Sequence, residues 1–197
     1  MCNLYRIKTS VQEIAGLFGA SADPDLVWKG EIYPRYQAPV VRAADGGRVV
    51  ELMVWGFPRQ VPGKTKMLTK HVTNARNLDS PFWRSSVMAP ARRCLVPFTQ
   101  FAEPKPGKDA EGRPGQHWFN VRERPIAAFA GLWRPSPEGA FFAFATTEPN
   151  ELIRPLHEKA MPLILHDEDQ ERWLTGGHQV ALALQMPFPS QLMGIEC

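Results

Sequence analysis

Residue 2 is a cysteine, and removal of the initiator methionine leaves a thiol and a free α-amine on one residue, a 1,2-aminothiol. An internal cysteine offers only sulfur. A terminal one can condense its amine with an aldehyde and then close its sulfur onto the imine, giving a five-membered thiazolidine. The α-amine has a pKa of about 8 against about 10.4 for lysine, so at neutral pH its reactive free-base fraction is about a hundredfold larger. The chemistry Cys2 offers is therefore capture of an aldehyde. By itself, a cysteine at position 2 is also what ordinary composition produces by chance.

Charge is segregated along the chain. Between Leu52 and Ala102 eight lysines and arginines face one acid, Asp79, a balance of +7, while the remainder carries −4. The window holds Arg59, Lys64, Lys66, Lys70, Arg76, Arg84, Arg92 and Arg93. Such a footprint suits phosphates, because neutralising a polyanion releases its counterions. Trp55, Phe57, Phe82 and Trp83 lie among these cations, as rings on which the bases of a single strand could stack or as ordinary core residues. Trp55 and Lys70 are the candidate nucleic-acid contacts here.

Four further blocks carry polar chemistry: Asn74-Ala75-Arg76, Arg92-Arg93-Cys94-Leu95-Val96-Pro97 leading to Phe101-Ala102-Glu103, His157, and Met161-Pro162. With Met1-Cys2-Asn3 and Trp55-Gly56, their order resembles the SOS response-associated peptidase (SRAP) family over nearly the whole chain. The resemblance implies a sensor of abasic sites in single-stranded DNA that traps the ring-opened sugar aldehyde on Cys2. It also implies roles: Asn74 holding the amine or thiazolidine, Arg76 gripping a phosphate with its planar fork, and Glu103 and His157 moving protons. Without the resemblance, Asn74 reads as a turn residue, Glu103 as a strand end and His157 as structural.

The chain departs from the family pattern at three places. Asn3 and Leu4 stand where glycine and arginine are common, so Arg6 is the candidate replacement phosphate contact. Glu103 lies in Gln100-Phe101-Ala102-Glu103-Pro104 instead of Gly-Phe-Tyr-Glu-Trp. One extra residue separates His157 from Met161, and Lys159 is the candidate for the cationic role of the usual arginine. Two other functions fit the residues. One is a cysteine peptidase acting on other proteins, with Cys2 as nucleophile, His157 as base and Asn74 as orienter. The other is a non-covalent single-strand binding module.

The elements that must position these residues read as one α+β domain over 1–197, a curved, barrel-like and mostly antiparallel sheet with peripheral helices. At 197 residues and 44% apolar content, one core is the expectation. Ser10 and Glu13 form a capping box ahead of Val11, Ile14, Leu17 and Phe18, and Gly19 stops that helix. Apolar runs at 40–42, 49–55, 94–98, 117–121, 127–133, 141–146 and 161–165 read as strands. Pro62-Gly63 opens a basic loop, 105–114 reads as a polar hairpin or surface excursion, and about 187–197 as a flexible tail. Short helices are expected at 80–87, after Asp167 and over 180–185. Cys2, Cys94 and Cys197 form no CxxC pair, so free thiols, no metal and no cofactor are expected. Neither a secretory leader nor a run of about 18 apolar residues is present, so a cytoplasmic, nucleoid-associated monomer is the expectation.

Overall fold

Apolar and aromatic runs set between Gly, Pro and charged clusters make this protein rich in strands, and the structure, a computed structural model, describes residues 2–108, 112 and 114–196. In chain order it contains β1 (Tyr5–Arg6), α1 (Val11–Phe18), β2 (Ala20–Ala22), β3 (Glu31–Ile32), β4 (Gln37–Ala44), β5 (Gly47–Trp55), β6 (Phe57–Pro62), β7 (Met67–Val72) and β8 (Asn74–Ala75). Then follow α2 (Arg84–Met88), β9 (Arg93–Phe98), β10 (Gln100–Lys108), β11 (Pro114–Val121), β12 (Ala127–Ser136) and β13 (Gly139–Thr147). The chain ends with β14 (Met161–Pro162), β15 (Ile164–Leu165), α3 (Asp167–Thr175), α4 (His178–Ala183) and β16 (Met193–Glu196).

Five of these strands close on themselves. Antiparallel pairing joins β5 to β4, β4 to β9, β9 to β12 and β12 to β13. A parallel pairing of β13 with β5, Phe141 opposite Val54 and Phe142 opposite Trp55, completes the ring. The expected barrel-like α+β domain is thus a closed mixed barrel, mostly β. Closure leaves its interior to be filled by side chains, and aromatic rings fill it. Phe98 stacks on Phe129 at 3.9 Å between centroids, Phe129 meets Phe144 at 4.6 Å, and Trp55 stacks on Phe144 at 5.2 Å.

A second sheet, in the order β16-β11-β10-β1-β3, shares the chain path with the barrel, because β9 runs through Thr99 into β10. Tyr5 of β1 pairs with Phe101 and sends its ring edge-on to Trp55 at 5.1 Å and to Phe129 at 5.9 Å. The fifth residue is thereby locked to the barrel core. Main-chain bonds extend the lock: Ala102 N–H donates to the Leu4 carbonyl at 2.9 Å and Thr99 N–H to the Arg6 carbonyl at 2.8 Å.

Helices cover the periphery. The Ser10–Glu13 capping box is present, and Gly19, at φ 58°, takes the left-handed C-cap conformation. Of the expected stripe, Val11, Ile14 and Phe18 are buried while Leu17 faces solvent. On α3, Trp173 donates to the carbonyls of Cys94 and Gly131 at 3.0 and 3.2 Å. Arg93 is fully buried and satisfies orphan carbonyls at the end of that helix, bonding Trp173 at 2.9 Å and Gly176 at 2.6 Å.

Two expectations are corrected. The basic loop opened by Pro62-Gly63 is a hairpin, β6 against β7 in six registered pairs from Phe57–Val72 to Pro62–Met67. The expected tail at 187–197 contains β16, which pairs with β11 from Val121–Met193 to Trp118–Glu196. Buried Phe188 and Met193 anchor it, a pair too sparse to register as a strand signal in the sequence. Cys197 and part of the expected 105–114 hairpin lie outside the described residues. No helix among the described residues is long and apolar enough to cross a membrane.

Barrel closure depends on one missing side chain. A Cβ at Gly131 would stand 2.6 Å from Cys94 Sγ and 2.8 Å from Val96 Cγ2. Gly131→Ala should therefore cost about 1–3 kcal/mol, read as a lower urea midpoint at unchanged slope. An unchanged midpoint would show that the β9–β12 seam yields freely.

Candidate active site at the N-terminal cysteine

The lock on β1 carries Cys2 into the protein. Its side chain is 1% exposed, and Sγ donates to the Leu4 carbonyl at 3.3 Å. Burial pushes the thiol pKa well up, and the neighbouring Glu103 carboxylate adds to the shift. The sulfur is held as a neutral thiol.

Asn74 reaches Cys2 from the barrel side. It lies on β8, which pairs in parallel with β13 so that Asn74 stands opposite Phe144. Its Nδ2 donates to the Cys2 carbonyl at 3.2 Å and to Thr73 Oγ1 at 2.9 Å. Its Oδ1 is buried without a partner among the described residues. That oxygen is a buried acceptor with its capacity unused.

Glu103 enters from the second sheet, on β10 opposite His117, and is fully buried. Burial raises its pKa to about 7, so the carboxyl exists in both protonation states near neutrality. A group poised there can donate or accept a proton at little cost, which is what general acid–base chemistry asks of it.

His157 follows a turn in which its N–H bonds the Ile153 carbonyl at 2.8 Å. Nδ1 lies 2.7 Å from the Ala160 carbonyl and 3.3 Å from the Ala160 N–H. The shorter contact assigns Nδ1 as the donor, which leaves Nε2 as the proton acceptor of the neutral ring. The pKa is lowered, first by burial and further by Lys159 and Arg76. Arg76 Nη2 donates to the Lys159 carbonyl, so both cations gather beside the imidazole.

The sequence-predicted residues thus fall into two joined groups. Cys2, Asn74 and Glu103 meet at the N-terminal segment, and Arg76, Lys159 and His157 meet two residues beyond Asn74. Three other expectations change. Trp55 is fully buried, stacks on Phe144 and donates Nε1 to the Thr73 carbonyl at 3.0 Å, so it supports Asn74 and offers no face to a base. Arg6 uses its fork on Glu31 Oε1, at 3.0 and 2.7 Å, and lies 3.4 Å over the Trp118 ring, so it is engaged as a structural ion pair rather than held for a phosphate. Lys70 is exposed on β7, opposite Arg59 and apart from this cluster in the β6–β7 hairpin.

Sequence reasoning missed Gln185, Thr73 and Thr146. Gln185 Nε2 donates to the carbonyls of Arg76 and Thr146, both at 2.7 Å, and so clamps the Arg76 segment against β13. Thr146 is buried with its Oγ1 unpartnered among the described residues, and it lines, with Arg76 and Met186, a cavity of about 440 Å³. Only Thr73, adjacent to Asn74, carried a signal in the sequence. Among the described residues no group of three His, Cys, Asp or Glu could hold a metal ion.

Comparison with known proteins bears on this geometry. The chain is similar to "Abasic site processing protein YoqW" of Bacillus subtilis (strain 168), 27% identical over 191 residues, covering 88% of this chain and 80% of the relative. It is similar to YoaM of the same organism, also named an abasic site processing protein, at 26% identity over 192 residues, with 88% and 79% covered. A crystal structure of a Bacteroides thetaiotaomicron protein shares the fold with a TM-score of 0.77 at 21% identity, covering 98% of this chain and 90% of that one. A Bordetella bronchiseptica structure matches with a TM-score of 0.77 at 20% identity, covering 98% of both chains. The profile described as SOS response associated peptidase (SRAP) matches residues 1–196, and the chain belongs to that family.

Proposed function

We propose that this protein recognises abasic sites in single-stranded DNA and joins the ring-opened sugar to Cys2 as a thiazolidine, after removal of Met1. The observation that carries the reading is the placement of Cys2, buried against Asn74 with a carboxyl that titrates near 7 beside it. The names of the Bacillus relatives support the substrate class.

The free amine of Cys2 attacks the C1′ aldehyde, and the carbinolamine loses one water to give the imine. The S–H then adds across the C=N bond, forming the C–S bond and returning a proton to nitrogen. Because the thiol is held neutral, its proton must leave as sulfur adds, and ionised Glu103 accepts it; protonated Glu103 assists the departure of water. Asn74 keeps the Cys2 carbonyl fixed, and its unused Oδ1 accepts from the amine. His157 Nε2 serves ring-opening of the sugar, and Arg76 with Lys159 takes the adjoining phosphates. β-Elimination from the imine would cleave the strand, so weak lyase activity accompanies the same site.

A peptidase acting on other proteins is less well supported. A cysteine that acts as a thiolate nucleophile needs a lowered pKa, whereas burial and the Glu103 carboxylate push that of Cys2 up.

Intact mass spectrometry after mixing with an abasic single-stranded oligonucleotide tests the proposal. Wild type should gain the mass of the oligonucleotide minus one water. Cys2→Ala should give no stable adduct, yet bind the same DNA within a few-fold. An adduct of equal yield on Cys2→Ala, or on protein retaining Met1, would falsify the thiazolidine route.

Glu103 gives a pH signature. The ratio of wild-type to Glu103→Gln single-turnover rate should climb through about pH 7 as the carboxylate forms; a flat ratio removes it as the base. Stability runs the other way. Its folded pKa is raised above the unfolded value, so stability is full below the unfolded pKa of 4.5 and is lost as pH rises through about 7. Glu103→Gln should then melt above wild type at pH 8 and alike at pH 4, with a ceiling of about 3 kcal/mol.

A further inference from the structure

Asn74 can serve the Cys2 amine only if its amide faces the right way. The oxygen and nitrogen ends of an asparagine side chain have nearly the same shape and exchange by a half turn about χ2. With Oδ1 toward the amine, the oxygen accepts an N–H and leaves the nitrogen lone pair free to attack. With Nδ2 there, an amide N–H would bond that lone pair and block the nucleophile. Orientation is therefore part of the chemistry.

Two acceptors hold the nitrogen end. Nδ2 lies 3.2 Å from the Cys2 carbonyl and 2.9 Å from Thr73 Oγ1, while Oδ1 is buried with no partner among the described residues. A half turn would bring Oδ1 against the Cys2 carbonyl oxygen, two acceptors with no proton between them. The two anchors differ in kind. Cys2 is the residue that reacts, and its backbone shifts as the imine closes to a ring. Thr73 belongs to the barrel side and stays where it is.

Thr73 is the single residue between β7 and β8, and the structure fixes it twice. Its carbonyl accepts from Nε1 of the fully buried Trp55 at 3.0 Å. Its Cγ2 methyl packs where Gly56 has no side chain: a Cβ on Gly56 would stand 3.3 Å from that methyl, and Gly56 has a φ of 110°, which favours glycine. A β-branched side chain is stiff about χ1. With the methyl turned to Gly56, Oγ1 is left facing Asn74.

We propose that Thr73 is a positioning residue of this site: its hydroxyl holds the Asn74 amide so that Oδ1 faces the Cys2 amine and leaves the attacking lone pair free. Thr73 touches no reacting atom and acts only through Asn74. The proposal rests on the reading of the Cys2 amine as the nucleophile and adds to it the residue that sets the amide.

Single-turnover crosslinking to a saturating abasic single strand, read by intact mass, tests the role. Thr73→Val and Thr73→Ala lack the hydroxyl, and each should slow the rate about three- to tenfold, the worth of one neutral hydrogen bond, at an unchanged half-saturating DNA concentration. Thr73→Ser keeps the hydroxyl and loses the methyl, and it should recover to within about twofold. On an Asn74→Ala background Thr73→Val should add nothing, because the hydroxyl acts through that amide. A second readout needs no DNA. In the nitrogen–proton NMR spectrum the Asn74 Nδ2 protons, identified by their loss in Asn74→Ala, should exchange with deuterated solvent faster in Thr73→Val and at the wild-type rate in Thr73→Ser. Wild-type crosslinking in both hydroxyl-free variants, a Thr73→Ser as slow as Thr73→Val, an undiminished effect without Asn74, or unchanged amide exchange each overturn the proposal. If wild type forms no adduct while the exchange contrast is present, the crosslinking function fails and the hold of Thr73 on the Asn74 amide stands.

Discussion

The insertion of Tyr5 between the barrel and the second sheet is the interaction on which the rest depends. A residue this close to the chain start would ordinarily fray. Here its backbone pairs with β10 and β3 while its ring meets Trp55, Phe129 and Phe144, so the segment behaves as core. Everything asked of Cys2 follows from that. Without a fixed β1, neither Asn74 from one sheet nor Glu103 from the other could be aimed at the same residue.

The barrel and the second sheet divide the work at this residue. The barrel supplies amide chemistry through β8, held by the Trp55 bond to Thr73. The second sheet supplies the titrating carboxyl through β10, whose burial lifts its pKa. Burial that raises the thiol pKa also strengthens each remaining polar contact, because little water competes for it. The same low-dielectric surroundings thus keep the thiol protonated and strengthen the contacts around it.

Legibility in the sequence followed the physics of each element. Strands with long apolar runs, such as 94–98 and 141–146, were readable because burial on both faces leaves no alternation to misread. The helix at Ser10 was readable because its cap is local. Barrel closure was not, since a parallel pairing of Val54–Trp55 with Phe141–Phe142 joins residues far apart in the chain. Among the candidate site residues, chemistry alone singles out Cys2, and motif order singles out Asn74, Glu103 and His157. Composition cannot tell a stacking ring from a core ring such as Trp55, or an open guanidinium from one that, like Arg6, is paired with a carboxylate. Gln185 carried no signal, being 109 residues from the Arg76 carbonyl it holds.

That clamp, together with β16, has a consequence for biosynthesis. The sheet that fixes residue 5 is completed at its edge by residues 193–196, and the Arg76 segment is secured by residue 185. Contacts of such long sequence separation form late and slowly. A ribosome therefore releases this cysteine into the cell many seconds before its pocket exists. During that interval the residue is an ordinary exposed thiol, and only completion of the far end of the chain withdraws it from casual chemistry.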